Sequence, residues 1–493
     1  MTRPLAIFTL IALIASIVVI GMFQDGRTAT ARGSEISMSS EPITPAAGSS
    51  EPVPAQDVQP EIITSDTALA EYVVYINWDA FRRDYYDWAN EPGQPGTPNL
   101  NYLMSRGVYY PNATNGFPSI TNPMQTSIVT GSWPATHSNA YKYYNQDSNT
   151  VDSSGRTNLA ETIAEAASAS GLSTASVQQF MLQDRGTSDD DPRHLYIQPG
   201  GRFELRVLEA IKMLRGEPVR NTKGQLVSMT EIPRFLAIYG DDLDAAGHNG
   251  TGYGSVPSLT YDQWAKKMTA ELIRMDRALG TFIEALRELG VFEKTAILLT
   301  ADHGMTPYWG KSSLPGLIQV FNGLGYKCEF LPNSGRAADD TDVVMVGSGQ
   351  SVQVYFRRTI TEEQLNEIIA AVSAQPYVGG LLDRKGLAAA GAHPVSGQLV
   401  VWPAPPHHFS RKDISIGLAA NHDTRDASSH NVFMLVSGSG VKPGLVIDAP
   451  VEIIDAAPTM SRLLGIRPPA NATGRILEEA LEEPALLGAE TTR

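Results

Sequence analysis

Three short apolar runs set the frame of this chain: Tyr-Val-Val-Tyr-Ile at 72–76, Phe-Leu-Ala-Ile-Tyr at 235–239 and Ala-Ile-Leu-Leu-Thr at 296–300. Each is near-continuously apolar rather than alternating, as in strands buried on both faces of a parallel sheet. Helix-patterned segments are interspersed among them. Residues 98–107 end on Gly107, residues 158–171 follow Asn158 as a cap, and 261–290 carry Leu272, Met275, Leu279, Phe282 and Leu286 near helical spacing. A further strand is expected at 174–177. This alternation predicts an α/β fold, a doubly wound, mostly parallel sheet sandwiched by helices. Each apolar run leads into residues that bind metals. Asp79 follows the first, Asp244 and His248 (in Asp-Ala-Ala-Gly-His) the second, and Asp302-His303 the third, with His422 in a later loop. Ligands gather at the carboxyl ends of strands in open α/β sheets, so these residues are expected to form one site.

A fourth stretch, 117–137, reads Phe-Pro-Ser-Ile-Thr-Asn-Pro-Met-Gln-Thr-Ser-Ile-Val-Thr-Gly-Ser-Trp-Pro-Ala-Thr-His. Pro123 near the start and Gly131 past the end of an apolar-periodic run punctuate a helix. Thr121 then sits at its N-terminus, where free N–H groups and the helix dipole favour an anion. Taken alone, its hydroxyl reads as a helix cap.

In chain order, the strand-Asp, the Thr121-Asn-Pro123 nucleophile element, Thr130-Gly-Ser-Trp-Pro-Ala-Thr-His137, Asp244-Ala-Ala-Gly-His248 and Asp302-His-Gly-Met305 resemble the type I phosphodiesterase/nucleotide pyrophosphatase family of the alkaline phosphatase superfamily. The resemblance runs over about 72–480 and is weak between His303 and His422. It implies an alkaline phosphatase-like fold and a hydrolase of phosphodiester or nucleotide pyrophosphate bonds. Thr121 would be the nucleophile, forming a phospho-threonine. One divalent ion would lie among Asp79, Thr121, Asp302 and His303, the other among Asp244, His248 and His422, about 4 Å apart. Mixed Asp and His ligands suit Zn2+ better than Mg2+ or Ca2+. His430 is the alternative to His422. His407 and His408 read as an exposed edge rather than a metal site.

The chain departs from the family in three places. Ala80 replaces the usual Gly after the first Asp, and Met124 stands where the pyrophosphatases have Asn. The position of a downstream phosphoryl-binding Asn is filled by Lys142, a cationic clamp in its place, with Asn139 or Asn145 able to serve after a small shift. These departures open a second reading, a phosphomonoesterase or phosphonate hydrolase. A third, from another class, is an inactive metal-stabilised binding domain. Trp78, Phe81, Phe117, Tyr141 and Tyr143 are candidate walls of a substrate pocket.

Composition excludes other classes. The 493 residues are 42% hydrophobic and 18% charged, a globular content. The net charge of -15 leaves no basic footprint for nucleic acid, while bound cations can still draw a small phosphorylated substrate. A single cysteine, Cys328, rules out an intrachain disulfide and a thiolate-rich site. It also lies far from Thr121, unlike the nucleophile that sulfatases mature from Cys. Residues 4–23 are apolar and uncharged after Arg3. Their length approaches the roughly 20 residues that span a bilayer, so residues 1–23 are expected to be a signal peptide or signal anchor that exports the rest, with possible membrane anchoring. Residues 24–66, rich in Pro and Ser, read as a linker. The catalytic domain is expected over 67–480, with a small α+β cap at about 306–413 between two ligand segments, and an acidic tail at 481–493.

Overall fold

The computed structural model describes residues 68–483. The apolar run at 4–23 and the Pro/Ser-rich stretch up to 66 lie outside the described residues, as does most of the tail. No helix among the described residues is long and apolar enough to cross a membrane.

The main sheet has eight strands: β1 (Tyr72–Trp78), β2 (Gly107–Tyr109), β3 (Thr174–Val177), β4 (His194–Ile197), β5 (Phe235–Gly240), β6 (Thr295–Thr300), β7 (Met434–Gly438) and β8 (Leu445–Val446), in the order β8-β2-β7-β6-β1-β5-β3-β4. β7 runs antiparallel to both its neighbours; the other pairings are parallel. The apolar runs form the centre of the sheet because only buried strands tolerate apolar residues on both faces. In β5 and β6 every residue is buried.

Helices flank the sheet. The 28-residue helix Tyr261–Glu288 buries Leu272, Met275, Leu279, Phe282 and Leu286 along one stripe. The helix expected from Asn158 instead starts at Ile163, because Thr162 and Glu165 form a capping box and Asn158 turns its side chain onto the N–H of Ala160. The strands Asn431–Val432 and Met434–Gly438 are parted at Phe433, whose ring stacks 4.6 Å from Phe81.

A second layer of structure leaves and rejoins the core through an antiparallel ribbon, Thr306–Gly310 paired with Ile414–Asn421. Between those strands lies an α+β insertion with a five-stranded sheet. Its strand Val343–Ser348 shows the period of two that a two-sided sheet requires. Val343 and Met345 pack with Leu317, Phe321, Ile368 and Val372 of two helices; Val344 and Val346 pack with Tyr144 and Val151 of a hairpin from the core. The insertion is thus pinned beside the main sheet rather than swinging from the ribbon alone.

Candidate active site

Strand register brings the first ligands level. Asn77 pairs with Thr300 and Trp78 with Gly240. Two residues beyond the first pair, Asp79 and Asp302 leave the sheet at the same height, with His303 next. Past β5 the chain turns into a short helix, α1 (Asp242–Gly247), with His248 at its C-cap. Asp244 and His248 are one turn apart and share a face. His422 follows the returning ribbon strand.

Thr121 is the first residue of the helix α2, Thr121–Thr130, which ends on Gly131 in the left-handed conformation. Pro123 falls at its third position, and the cap position is Ile120, with no side-chain cap. The Thr121 hydroxyl is therefore not spent on the helix. Its Oγ1 lies 3.1 Å from His303 Nε2.

Two groups of potential metal ligands result: Asp79, Asp302 and His303, and Asp244, His248 and His422. In the first, His303 Nε2 lies 3.3 Å from Asp79 Oδ1 and 3.5 Å from Asp302 Oδ2. In the second, Asp244 Oδ1 lies 3.2 Å from His248 Nε2 and 3.8 Å from His422 Nε2. The rings of His303 and His422 stack at 3.7 Å, so the groups adjoin. Every imidazole Nδ1 faces a backbone carbonyl: His303 that of Gly304 (2.9 Å), His248 that of Ala420 (3.0 Å) and His422 that of Ser119 (2.9 Å). With Nδ1–H donated there, Nε2 presents a lone pair, the tautomer a metal needs. Asp79 Oδ1, Asp244 Oδ1 and Asp302 Oδ2 are buried without a hydrogen-bond donor. Acceptors face acceptors at both groups, an arrangement that a divalent cation resolves.

Electrostatics separates the two groups. Burial, then the charges of Asp302 and Asp244, holds the Asp79 carboxyl well above the usual carboxylate range. Burial raises Asp302 as well, with His303 opposing. Asp244 moves the other way: burial would raise it, but His248, His422 and His303 together bring it well below the usual range. Burial opposes protonation of His248, and Asp244 outweighs it, bringing the imidazole up to about 8. Burial and the neighbouring His303 hold His422 well down.

Several supporting residues were not visible in the sequence pattern. The Tyr239 hydroxyl donates to Asp79 Oδ2. The Asn115 amide donates to the Asp302 carbonyl (2.9 Å) and to Ser119 Oγ (2.7 Å). A buried amide relay runs beneath α2, from Gln179 to Gln125 (2.7 Å) and from Gln125 to Asn77 (2.6 Å). Asp423, beside His422, accepts from the N–H of Ser119 (2.8 Å), and burial pushes its carboxyl up to about 7. None of these carries a local sequence pattern that could have flagged it beforehand.

His430 and His408 belong to neither ligand group. His430 has Nδ1 on Asn115 Oδ1 (2.8 Å) and Nε2 facing Arg425 (3.1 Å), apart from both groups. His408 is buried, not on an exposed edge, and its nitrogens meet the Gly310 carbonyl and the Ser410 hydroxyl. Trp78, Phe81 and Phe117 are core residues rather than pocket walls: all are buried, Trp78 against Phe81 and Phe203. Tyr141 and Tyr143 are half-buried. The Asn139 amide is buried and donates to the Gly155 and Thr157 carbonyls (3.3 and 3.1 Å), holding its own loop. Lys142 opens a hairpin strand and lies over the Tyr141 ring at 5.0 Å.

Known proteins resemble this chain in sequence and in fold. A family model described as type I phosphodiesterase/nucleotide pyrophosphatase matches residues 73–401. Bovine ectonucleotide pyrophosphatase/phosphodiesterase family member 3 is 25% identical over 243 residues, covering 47% of this chain and 25% of the relative. The chain thus spans about a quarter of that protein's length. Among solved structures, murine ectonucleotide pyrophosphatase/phosphodiesterase 5 superposes with a TM-score of 0.57 at 18% identity, covering 83% of this chain and 100% of the other. An inactive threonine-to-alanine variant of that murine protein, in complex with AMP, superposes with a TM-score of 0.56 at 17% identity, covering 81% and 96%. The alkaline phosphatase PafA superposes with a TM-score of 0.56 at 15% identity, covering 84% of this chain and 99% of the other, so the fold is alkaline phosphatase-like.

Proposed function

The chain belongs to the type I phosphodiesterase/nucleotide pyrophosphatase family, and from that premise we propose that it is an extracytoplasmic hydrolase of phosphodiester or nucleotide pyrophosphate bonds, working through a phospho-threonine on Thr121 beside two divalent cations, Zn2+ by the character of the ligands. Asp79, Asp302 and His303 would hold one ion with Thr121 Oγ1; Asp244, His248 and His422 would hold the other. Bound there, the cations would acidify the hydroxyl and screen charge on the phosphoryl oxygens. The observation that carries the proposal is the Thr121 hydroxyl, free of any capping duty and 3.1 Å from His303 Nε2.

In the first step Thr121 Oγ forms a bond to phosphorus as the ester or anhydride bond to the leaving group breaks. The leaving oxygen departs with the electron pair and takes up a proton. In the second, water oxygen attacks phosphorus, the bond to Thr121 Oγ breaks, and the threonine recovers its proton. The α2 N-terminus points its dipole toward the phosphoryl group during both displacements. AMP in the murine neighbour supports a nucleotide-class substrate, as the nucleotide-directed name of the bovine relative does. The "ecto" of both names and the apolar run at 4–23 support export.

A panel of a diester, a nucleotide pyrophosphate, a monoester and a phosphonate, run with elemental analysis, tests the assignment. Diester and pyrophosphate turnover with about two zinc ions per chain is expected. Preference for the dianionic monoester would move the enzyme to a phosphomonoesterase, and absence of hydrolysis with both ions present would make it a binding domain.

A further inference from the structure

Ser119 precedes Thr121 by two residues, and both polar atoms of its backbone are held by one dipeptide. Its N–H donates to Asp423 Oδ1 at 2.8 Å, and its carbonyl accepts from His422 Nδ1 at 2.9 Å. His422 turns its other nitrogen toward Asp244. One loop therefore presents a ligand of the second group and grips the chain that delivers the nucleophile.

Asp423 is an expensive choice for that place. Its carboxyl is fully buried and its φ is 65°. Asp enters the left-handed region more readily than most residues with a Cβ, but a single such residue with a buried carboxyl is held there by its surroundings. The surroundings here are the insertion. The Gln350 N–H donates to the His422 carbonyl at 2.9 Å, and Ser351 Oγ donates to the Asp423 carbonyl. Gly349 packs so closely that a Cβ there would meet the His422 carbonyl oxygen at 2.2 Å and Asp423 Cβ at 2.7 Å. The contacts run without a break from the insertion turn 349–351, through His422 and Asp423, to Ser119 and on to Thr121.

Resting on the function proposed above, we infer that Asp423 is a positioning residue: it fixes the Ser119 peptide so that Thr121 Oγ stays in line with the reacting phosphorus, and through His422 it ties that alignment to the second ligand group. Asp423 touches no reacting atom. Its effect would appear in kcat, since a misplacement of about 1 Å costs on the order of a hundredfold in rate.

Two variants test this without a conformational confound. Asp423→Gly removes the acceptor at a position whose φ glycine adopts freely. Asp423→Asn keeps an oxygen that accepts from Ser119 and tolerates this φ. The expected result is a kcat loss on the order of a hundredfold for Gly, with KM within about threefold, metal content unchanged, and Asn retaining at least about a third of the wild-type kcat. Amide exchange of Ser119 should be at least about tenfold faster in the Gly variant and close to wild type in the Asn variant. Wild-type kcat in the Gly variant would overturn the inference, as would a kcat loss that tracks lost metal and is restored by excess metal. If the wild-type protein hydrolyses no substrate, the proposed function fails, while unchanged Ser119 exchange in the Gly variant would separately refute the clamp.

Discussion

The two ligand groups lie side by side and are built in opposite ways. The first is carboxylate-rich, stands on the ends of the central strands and is closed to solvent: the side chains of Asp79, Asp302 and His303 are 2%, 0% and 0% exposed. The second is histidine-rich and hangs on a short helix and the loop after the insertion ribbon, with Asp244 and His248 side chains 21% and 38% exposed. Without a cation, the first group is self-repelling: burial pushes both its carboxyls up, and the charge of Asp302 pushes Asp79 up further. The second neutralises itself, Asp244 pushed down and His248 up. On the proposed two-ion reading, the first group would need its ion to balance its charge, while the second, more accessible, would tolerate vacancy better and compete with protons for its ion.

The sharpest way to break this contrast is Asp302→Asn. Loss of one first-group carboxylate should lower kcat by on the order of a thousandfold or more. In chelator, however, the variant should unfold at no lower denaturant concentration than wild type. Asp302 is raised in the fold, so its ionised form opposes folding above the usual carboxylate range, and removing the charge relieves that cost. A lower midpoint for the variant in chelator would contradict the self-repulsion assigned to this group.

His248→Ala should act more mildly. We expect about ten- to a hundredfold weaker binding of the second ion, one ion per chain retained on dialysis, and activity recovered by excess metal. The wild-type affinity for that ion should also fall with pH. His248 is raised to about 8, so below that pH the ion must displace its proton, and affinity should drop roughly tenfold per pH unit. Metal titration at pH 6, 7 and 8 would show this slope; a flat profile would show that His248 does not hold the second ion.

The smallest effect concerns the rim of the first group. Ala80 follows Asp79 with φ 62°, and its N–H faces Asp302 Oδ1 at 3.4 Å. Ala80→Gly relieves the left-handed strain but loosens the unfolded chain, so a net stabilisation of about 0.5–1 kcal/mol is expected in urea unfolding, with activity unchanged.

The same contrast explains what could be read from sequence. Asp79 and Asp302 were legible because they follow continuous apolar runs, and parallel strands buried on both faces leave few other ways to arrange them. The α2 boundaries followed from Pro123 and Gly131. Tyr239, Asn115 and Asp423 were not legible. Their partners lie far away in sequence, and a single tyrosine ending a strand or an aspartate after a histidine carries no local pattern. Trp78, Phe81 and Phe117 were misplaced for a related reason: an aromatic residue near a ligand fits a pocket wall and a core equally well, and only packing decides. The insertion was readable as strands and a helix, but its attachment to the His422–Asp423 loop rests on backbone contacts at Gly349 and Gln350 that composition does not signal.

The proposed mechanism stands or falls on the Thr121 hydroxyl acting as a nucleophile and not as a helix cap. Acid quenching during turnover of a substrate labelled in its phosphoryl group, followed by peptide mapping, tests it most directly. Label is expected on the peptide containing Thr121. In Thr121→Ala, label should be absent and turnover reduced by several orders of magnitude in a protein that stays folded. Thr121→Ser should retain a substantial part of both. Label on Ser119, or near wild-type turnover by the Ala variant, would contradict it.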